Sequence, residues 1–393
     1  MVRHDWTWMD YVTLIKVCSQ RYNPQIKGEL IVDYTSHAVA DVIRVTLPAP
    51  LRGLVRTVAY IRHMTSSASR NRPQIPILGT GGTISCTHSP DGDLVPSLAC
   101  SDIVGQAHIP QGVEPVAHDI MSIDSSSITL PQIDELIGHI ASFCSPAPIG
   151  IVVLHGTDTM EESAVAASCA LQLPCPVVFT GAQRPGDDAT PDGPANLSRA
   201  LTALATGELD PGVHIVFGDS IVAARGAYKA HTTADTAFRN ALADSNVAQD
   251  SASRPFKSSD APNPPRIAGL FVPIITTFAG DDGQLLRALH ERDRKEGTVD
   301  GLVLAAMGSG NIPTAVAEEL AAWRASRRAL NRADLPVVVC SRVPTGGVSF
   351  VYGGTGGGAQ LARDGLRSGG ALRPSQARIE LLYELAATPP SGR

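Results

Sequence analysis

An α/β protein is predicted, built from a larger amino-terminal domain with a doubly wound parallel sheet and a smaller carboxy-terminal α/β domain. Three observations carry this reading. From residue 73 onward, short runs rich in Ile and Val alternate with helical stretches. The runs are apolar along their whole length, as strands covered on both faces are. The alternation breaks once, at 248–265, where Ser-Ser-Asp260-Ala-Pro-Asn-Pro-Pro265 collects turn-forming residues, and then resumes on a smaller scale.

In the first domain Ile75–Leu78, Ile149–Leu154, Val177–Thr180 and Val213–Phe217 read as buried strands, with Met160–Gln172 and Asn196–Ala205 as helices. In the second, Leu270–Thr276, Leu302–Ala306 and Pro336–Cys340 read as strands, and Gln284–Arg292, Thr314–Arg324 and Ser375–Leu385 as helices. Such alternation implies a parallel sheet wrapped by helices. The expected organisation is therefore an extension over 1–72 that is not a domain, a first domain over 73–247, a linker over 248–265 and a second domain over 266–393.

Composition narrows the function. Apolar residues make up 43% of the 393 and charged residues 18%, a globular balance. A formal net charge of −6 gives no electrostatic reason to expect nucleic acid or an anionic membrane as partner, which leaves a small molecule. The longest apolar runs, Ile149–Leu154 and Gly301–Met307, fall far short of the roughly 20 residues that span a bilayer. Asp5, Trp6, Trp8 and Asp10 stand where a secretory signal would be basic and then apolar, so a cytoplasmic protein is expected. Seven scattered cysteines, none spaced Cys-x-x-Cys, suggest buried free thiols and neither a disulfide framework nor a zinc site.

In open α/β sheets the ligand sits beyond the carboxyl ends of the strands. Three loops there carry polar residues: Gly79-Thr-Gly-Gly-Thr-Ile84, His155-Gly-Thr-Asp-Thr-Met-Glu-Glu162 and Gly181-Ala-Gln-Arg-Pro185. Gly81 and Gly82 permit positive φ and close approach to the backbone, with the Thr83 hydroxyl at the mouth of the site. A threonine hydroxyl attacks well only when a base takes its proton. Asp158 can hold Lys229 close, and Lys229 can take the proton of Thr157. The plain alternatives are an ordinary strand-to-helix turn for the first loop and a helix cap, with Glu161 in a capping box, for the second.

Thr80-Gly-Gly-Thr-Ile84 and His155-Gly-Thr-Asp-Thr-Met-Glu-Glu162 resemble the two signatures of the bacterial two-domain L-asparaginase and glutaminase family. Further likeness follows in the family's order, at Gly181–Pro185, Asp192-Gly-Pro-Ala-Asn-Leu197, Lys229 before Thr232-Thr233, Gly308-Ser-Gly-Asn311 and Ser341-Arg-Val-Pro-Thr-Gly346. The resemblance runs from about Pro73 to about Leu385. It implies hydrolysis of L-asparagine through a β-aspartyl ester on Thr83, with Thr157, Asp158 and Lys229 as a second catalytic group. It implies that Asp124 and Ser125, together with Ser126, Thr157 and Asp158, bind the substrate, and that a backbone amide of the second loop forms an oxyanion hole. No metal or organic cofactor is implied, and a homo-oligomer, dimer or tetramer, is. The Thr276–Asp282 loop and Asn311 are the candidates for completing a neighbour's site.

This sequence departs from the family's pattern in two places. It has no tyrosine between Tyr60 and Tyr228, where the family often uses one to activate the first threonine; the Ser85–Ala99 loop offers Thr87, His88 and Asp91 instead. Ser126 stands where many relatives have glutamine, which leaves the preference between asparagine and glutamine open. Two other classes of function stay in view: an amino-acid-binding protein without activity on the same scaffold, and a dinucleotide-binding module at Gly354-Thr-Gly-Gly-Gly-Ala359. A tRNA-dependent amidotransferase subunit fits less well, since no RNA-binding extension is apparent.

Residues 1–72 lie outside the resemblance and read as neither strand alternation nor a clean helical face, apart from the apolar spacing of Trp6, Trp8, Tyr11, Leu14, Ile15 and Val17. An upstream region translated from an early start codon is the expectation, with Met64 as the ordinary start. A chain beginning at Met64 is expected to be soluble, to oligomerise as before and to hydrolyse asparagine at an undiminished rate. Aggregation, or a melting temperature lower by several degrees, would show that the segment buries surface in the native fold.

Overall fold

The computed structural model describes residues 72–243 and 264–388, together with the backbone of three strands upstream. The chain divides into two units, Met1–Arg72 and Pro73–Arg393. In the first, β1 (Ile31–His37), β2 (Ala40–Thr46) and β3 (Tyr60–His63) form an antiparallel sheet in that order, with Ile31 opposite Thr46 and His37 opposite Ala40. The expectation of no strand pattern there is corrected. Ile31, Val32, Tyr34 and Thr35, then Val42, Ile43, Val45 and Thr46, are β-favouring residues grouped without a strict apolar alternation. The apolar spacing from Trp6 to Val17 and the linker up to residue 263 lie outside the described residues.

The second unit opens with β4 (Gln74–Gly79), β5 (Cys86–His88), β6 (Leu94–Pro96), β7 (Glu114–Asp119), β8 (Ile151–Leu154), β9 (Pro176–Thr180), β10 (Gly212–Phe217) and β11 (Ser220–Ala223). Six of these make one sheet in the order β11-β10-β9-β8-β4-β7, parallel throughout except for the edge strand β11. The helices are α1 (Cys100–Gln106), α2 (Leu130–Ser142), α3 (Met160–Ala170), α4 (Gly193–Ala205), α5 (Gln284–Glu296), α6 (Thr314–Ala329), α7 (Gly358–Arg363) and α8 (Pro374–Ala387). Among the described residues no helix is long and apolar enough to cross a membrane.

Strand residues point alternately to two cores. Ile75, Ile77, Val152, Leu154, Val178 and Val216 pack with Ile103 of α1 and Leu197 and Leu201 of α4. Leu78, Ile151, Val153, Val177, Phe179, Ile215 and Phe217 pack with Ile137 of α2 and Val165 of α3. A strand buried on both faces has no polar side, which is why these strands read as continuous apolar runs. The chain leaves β4 outward to β7 and then crosses back to β8 on the other side. The strand order therefore reverses between β4 and β8, and the loops after those two strands frame the crevice that such a switch point creates.

After the short antiparallel pair β12 (Ala227–Lys229) and β13 (Phe238–Asn240), a second parallel sheet follows in the order β14 (Ile274–Thr276), β15 (Leu302–Ala306), β16 (Val337–Ser341) and β17 (Arg367–Ser368). One face, through Leu304 and Val339, packs on Leu286 of α5 and Leu320 and Trp323 of α6. The other, through Val303, Val338 and Cys340, shares a core with α8, whose Ile379, Leu382 and Tyr383 also meet Val165 and Phe179 of the first sheet's layer. The helix predicted over Ser375–Leu385 thus joins the two sheets. The strand predicted over Leu270–Thr276 starts only at Ile274, after Pro273, which has no N–H to give a ladder.

Polar side chains stitch α8 to the first sheet. Gln376, fully buried, donates to Ala224 O at 2.7 Å and to Glu161 O at 3.2 Å, and accepts from Gly226 N at 2.7 Å. Glu380 pairs with Arg225 at 2.6 Å. Gln376→Leu keeps the volume but takes the acceptor from the Gly226 N–H, a loss worth about 1–3 kcal/mol for a buried group. Ala224 O keeps the Ala227 N–H at 3.1 Å, and Glu161 O keeps its place within α3. We expect unfolding in urea to lose about 2 kcal/mol. A loss below about 0.5 kcal/mol would mean that water replaces the side chain and that α8 docks by apolar contact alone.

Candidate active site

The crevice is built by glycines. Gly81 and Gly82 adopt φ of +103° and +83°, which a side chain tolerates poorly. A Cβ on Gly81 would lie 2.6 Å from Ile123 O, and one on Gly82 would lie 2.6 Å from Gly156 N and overlap its Cα. A Cβ on Gly156 would in turn stand 2.7 Å from that of Ser125. The loops after β4, β7 and β8 therefore touch backbone to backbone. Thr80 adds two bonds to Leu154 O, from its N–H at 3.0 Å and its hydroxyl at 2.9 Å.

Thr83 follows Gly82 as the first residue of a single 3-10 turn and is half-buried. Thr157 follows Gly156 and is buried. Its hydroxyl accepts from Lys229 Nζ at 2.7 Å, and the same ammonium reaches Asp158 Oδ1 at 3.3 Å. The Lys229 side chain is 20% exposed and that of Asp158 is 58% exposed, so the lysine is held from inside while the carboxylate opens to solvent. Ser125, buried, accepts Asp158 N at 3.3 Å on its hydroxyl and Thr159 Oγ1 at 2.8 Å on its carbonyl. Asp124 and Ser126 flank it, both exposed, with Ser126 N donating to Asp124 Oδ1 at 3.1 Å. Thr157, Asp158, Lys229, Asp124, Ser125 and Ser126 thus form one connected group, and Thr83 adjoins it through the Gly82–Gly156 contact.

The capping alternative for the second loop does not hold. Helix α3 begins at Met160 with Thr159 as its cap residue, and no side chain bonds that cap. The polar groups that could cap it are committed across the fold: Thr157 to Lys229, Thr159 to Ser125, and Glu161 to Lys229 N. The dinucleotide alternative lacks its strand, since Val348–Tyr352 is irregular, and Gly356 packs its Cα against Ile312 O.

The other matched segments support the site from behind. Asp192 accepts Gln183 N at 2.9 Å and Arg184 N at 2.8 Å, which shapes the third loop, and Asn196 donates to Gly181 O at 2.9 Å. Gly193 lets α4 lie against Ile84, the residue after Thr83. Asn311 turns its Oδ1 to Gly358 N at 3.2 Å, and in the Thr276–Asp282 loop Thr277 is buried and Asp281 bonds Gly283 N. His88, on the hairpin of β5 and β6, is about half exposed. It binds Asp187 through its N–H at 2.8 Å and Nδ1 at 3.1 Å, as a surface anchor of that hairpin.

Two residues of the second loop carry more than their sequence suggested. His155 is buried, which lowers its pKa to about 4 and keeps the ring neutral. Its Nδ1 donates to Gly156 O at 2.7 Å. A trans peptide then points the Thr157 N–H the opposite way, free of that bond. Glu161 shares with Tyr228, Lys229, Arg373 and Ser375 a cavity of about 270 Å³. Burial raises its pKa from the ordinary carboxyl range, opposed by hydrogen bonds from Ser375 and Lys229 N–H. No local spacing links Glu161 to Lys229, which lies 68 positions away.

Comparison with known proteins agrees with this arrangement. The family described as "Asparaginase, N-terminal" matches residues 74–252, and that described as "Glutaminase/Asparaginase C-terminal domain" matches residues 271–391. The chain is 32% identical over 320 residues to a probable L-asparaginase of Deinococcus radiodurans, covering 80% of this chain and 93% of that protein. It is 28% identical to L-asparaginase 2 of Escherichia coli, over 82% and 92% of the two chains. Among solved structures, a probable cytoplasmic L-asparaginase from Campylobacter jejuni superimposes with a TM-score of 0.64 at 27% identity, covering 80% of this chain and 96% of that one.

The backbone contact can be tested against simple strain. Gly92 has φ of +89° with open space around it, whereas Gly82 meets Gly156. Gly92→Ala should cost about 1 kcal/mol. Gly82→Ala should cost about 2–4 kcal/mol and separate the two loops, which a crystal structure of the variant would display. Equal losses in thermal unfolding would mean that the loop contact contributes nothing beyond glycine's backbone freedom.

Proposed function

The chain belongs to the asparaginase family, and from that premise we propose that it hydrolyses L-asparagine to L-aspartate and ammonia with Thr83 as the nucleophile. The observation that carries the reading is the hydrogen-bonded series Thr157–Lys229–Asp158, set at the switch point beside the loop of Thr83. The Thr83 hydroxyl adds to the side-chain amide carbon, the amine leaves with a proton as ammonia, and a β-aspartyl ester remains on Thr83. Water then adds to the ester and releases aspartate, with the proton returned to Thr83. Both steps pass through an oxyanion, for which the Thr157 N–H, turned away from His155 by the Nδ1 bond to Gly156 O, is the candidate donor. Lys229 moves the proton through Thr157, and Asp158 steadies the charge that Lys229 carries.

The substrate's head falls to the exposed side of the same group. Asp158 offers one carboxylate to an α-ammonium group, and Ser125, with the exposed Asp124 and Ser126, takes the rest of the amino-acid end. Ser126 sets the depth of the pocket. The proposal includes a cytoplasmic homo-oligomer. Its supports are the likeness to a structure described as a probable cytoplasmic L-asparaginase and the apolar surface of Phe278, Val343, Val351 and Tyr352.

Thr83→Ala is expected to lose nearly all ammonia release while still binding aspartate in calorimetry, since the head of the ligand is held by Ser125 and Asp158. Lys229→Met should fall by a comparable factor, and the double variant hardly further, because groups acting as one unit lose activity together. Turnover above a tenth of wild type in Thr83→Ala would sink the assignment of the nucleophile.

A further inference from the structure

Lys229 carries its ammonium on a flexible four-carbon stem, and the reading above requires that ammonium within hydrogen-bonding distance of Thr157. The strand that bears it offers little stiffness. It is three residues long and, among the described residues, pairs only with β13, also three residues long, and a two-stranded ribbon of that size is marginal alone. Lys229 sits at its end, opposite Phe238, and its own N–H turns away from β13.

That N–H is received by Glu161. One carboxylate oxygen, Oε2, accepts Lys229 N at 2.6 Å; the other, Oε1, accepts the Ser375 hydroxyl at 2.7 Å. Ser375 stands in the first turn of α8, and the next residue, Gln376, donates to Glu161's own carbonyl at 3.2 Å. Glu161 itself lies in the first turn of α3, directly after the loop that carries Thr157. One side chain therefore bridges the helix that follows Thr157, the strand that carries Lys229 and the helix from the second domain. Two oxygens on one planar group fix the strand's height over the loop more firmly than one bond would.

We propose that Glu161 is a positioning residue, setting Lys229 against Thr157 and coupling that setting through Ser375 to the first turn of α8. The proposal rests on the reading of Lys229 as the proton carrier. It adds the second domain to the catalytic apparatus of the same subunit: α8 holds the lysine in register without touching substrate.

The test compares Glu161→Leu, Glu161→Gln and Ser375→Ala in the full chain, reading kcat, KM for asparagine, aspartate affinity by calorimetry, melting temperature and oligomeric state. Glutamine keeps an acceptor for Lys229 N–H and offers an N–H to the Ser375 hydroxyl, which can accept as well as donate. Glu161→Gln should therefore keep kcat within about threefold. Glu161→Leu should lower kcat about 100-fold with KM and aspartate affinity within about twofold, the mark of a misplaced catalytic group in an intact pocket. Ser375→Ala should lower kcat about three- to tenfold in the same manner.

A folded Glu161→Leu protein with kcat within threefold of wild type overturns the proposal. So does a Gln variant as damaged as the Leu variant, which would make the charge and not the geometry responsible. If Glu161→Leu does not fold, Ser375→Ala decides, and an unchanged kcat there overturns the proposal. Failure of the wild-type protein to release ammonia is a separate result, which removes the reading of the site and this proposal with it.

Discussion

Where the strand order reverses between β4 and β8, the two following loops leave the sheet toward opposite faces, and in most doubly wound sheets the gap between them is what a ligand fills. Here the gap is closed at its floor by Gly82 lying against Gly156 with no side chain between them. Thr80 reinforces the contact from the same loop with two bonds to Leu154 O. Thr83 and Thr157 are each the next residue after one of the touching glycines. The two residues are therefore brought near one another by backbone packing, which is stiffer than any side-chain contact. Ser125 joins through the same device, since Gly156 has no Cβ to hold it off.

The charges of the site do positional work. An ion pair such as Lys229–Asp158, with the carboxylate more than half exposed, contributes little to stability because water screens it. Its worth lies in where it leaves the ammonium, 2.7 Å from the Thr157 hydroxyl. Stability comes instead from the cores on both sides of the first sheet and from α8, which carries Ile379, Leu382 and Tyr383 into the core shared by the two sheets. The buried bonds of Gln376 and the Arg225–Glu380 pair then select one orientation of that helix.

Legibility in the sequence followed burial. Central strands such as β8 and β15 were readable because both faces are covered and no polar residue intervenes. The edge strand β7, Glu-Pro-Val-Ala-His-Asp, was not: one of its sides faces water, Pro115 interrupts it, and its residues are half-exposed or exposed. Helix α2 passed unread although Ile133, Leu136, Ile137 and Ile140 are spaced for one face. The short strands β12 and β13 have no local signature, since three residues form a strand only when the partner is present.

By itself the sequence determined the fold class, the two glycine-led loops and the residue types of the site. These depend on local rules: apolar runs make buried strands, glycine alone takes positive φ against a neighbouring backbone, and loops at strand ends carry polar groups. Only the tertiary structure decided what those groups do. Thr157, Asp158, Thr159 and Glu161 could each have capped a helix, and the fold commits them instead to Lys229, Ser125 and Ser375, from 33 to 214 residues away. His88 could have faced the site, and a bond to Asp187 holds it on the hairpin's surface. A side-chain oxygen takes whichever donor or acceptor the packing brings within about 3 Å. That choice belongs to the order of strands in the sheet and the docking of α8, which no local pattern encodes.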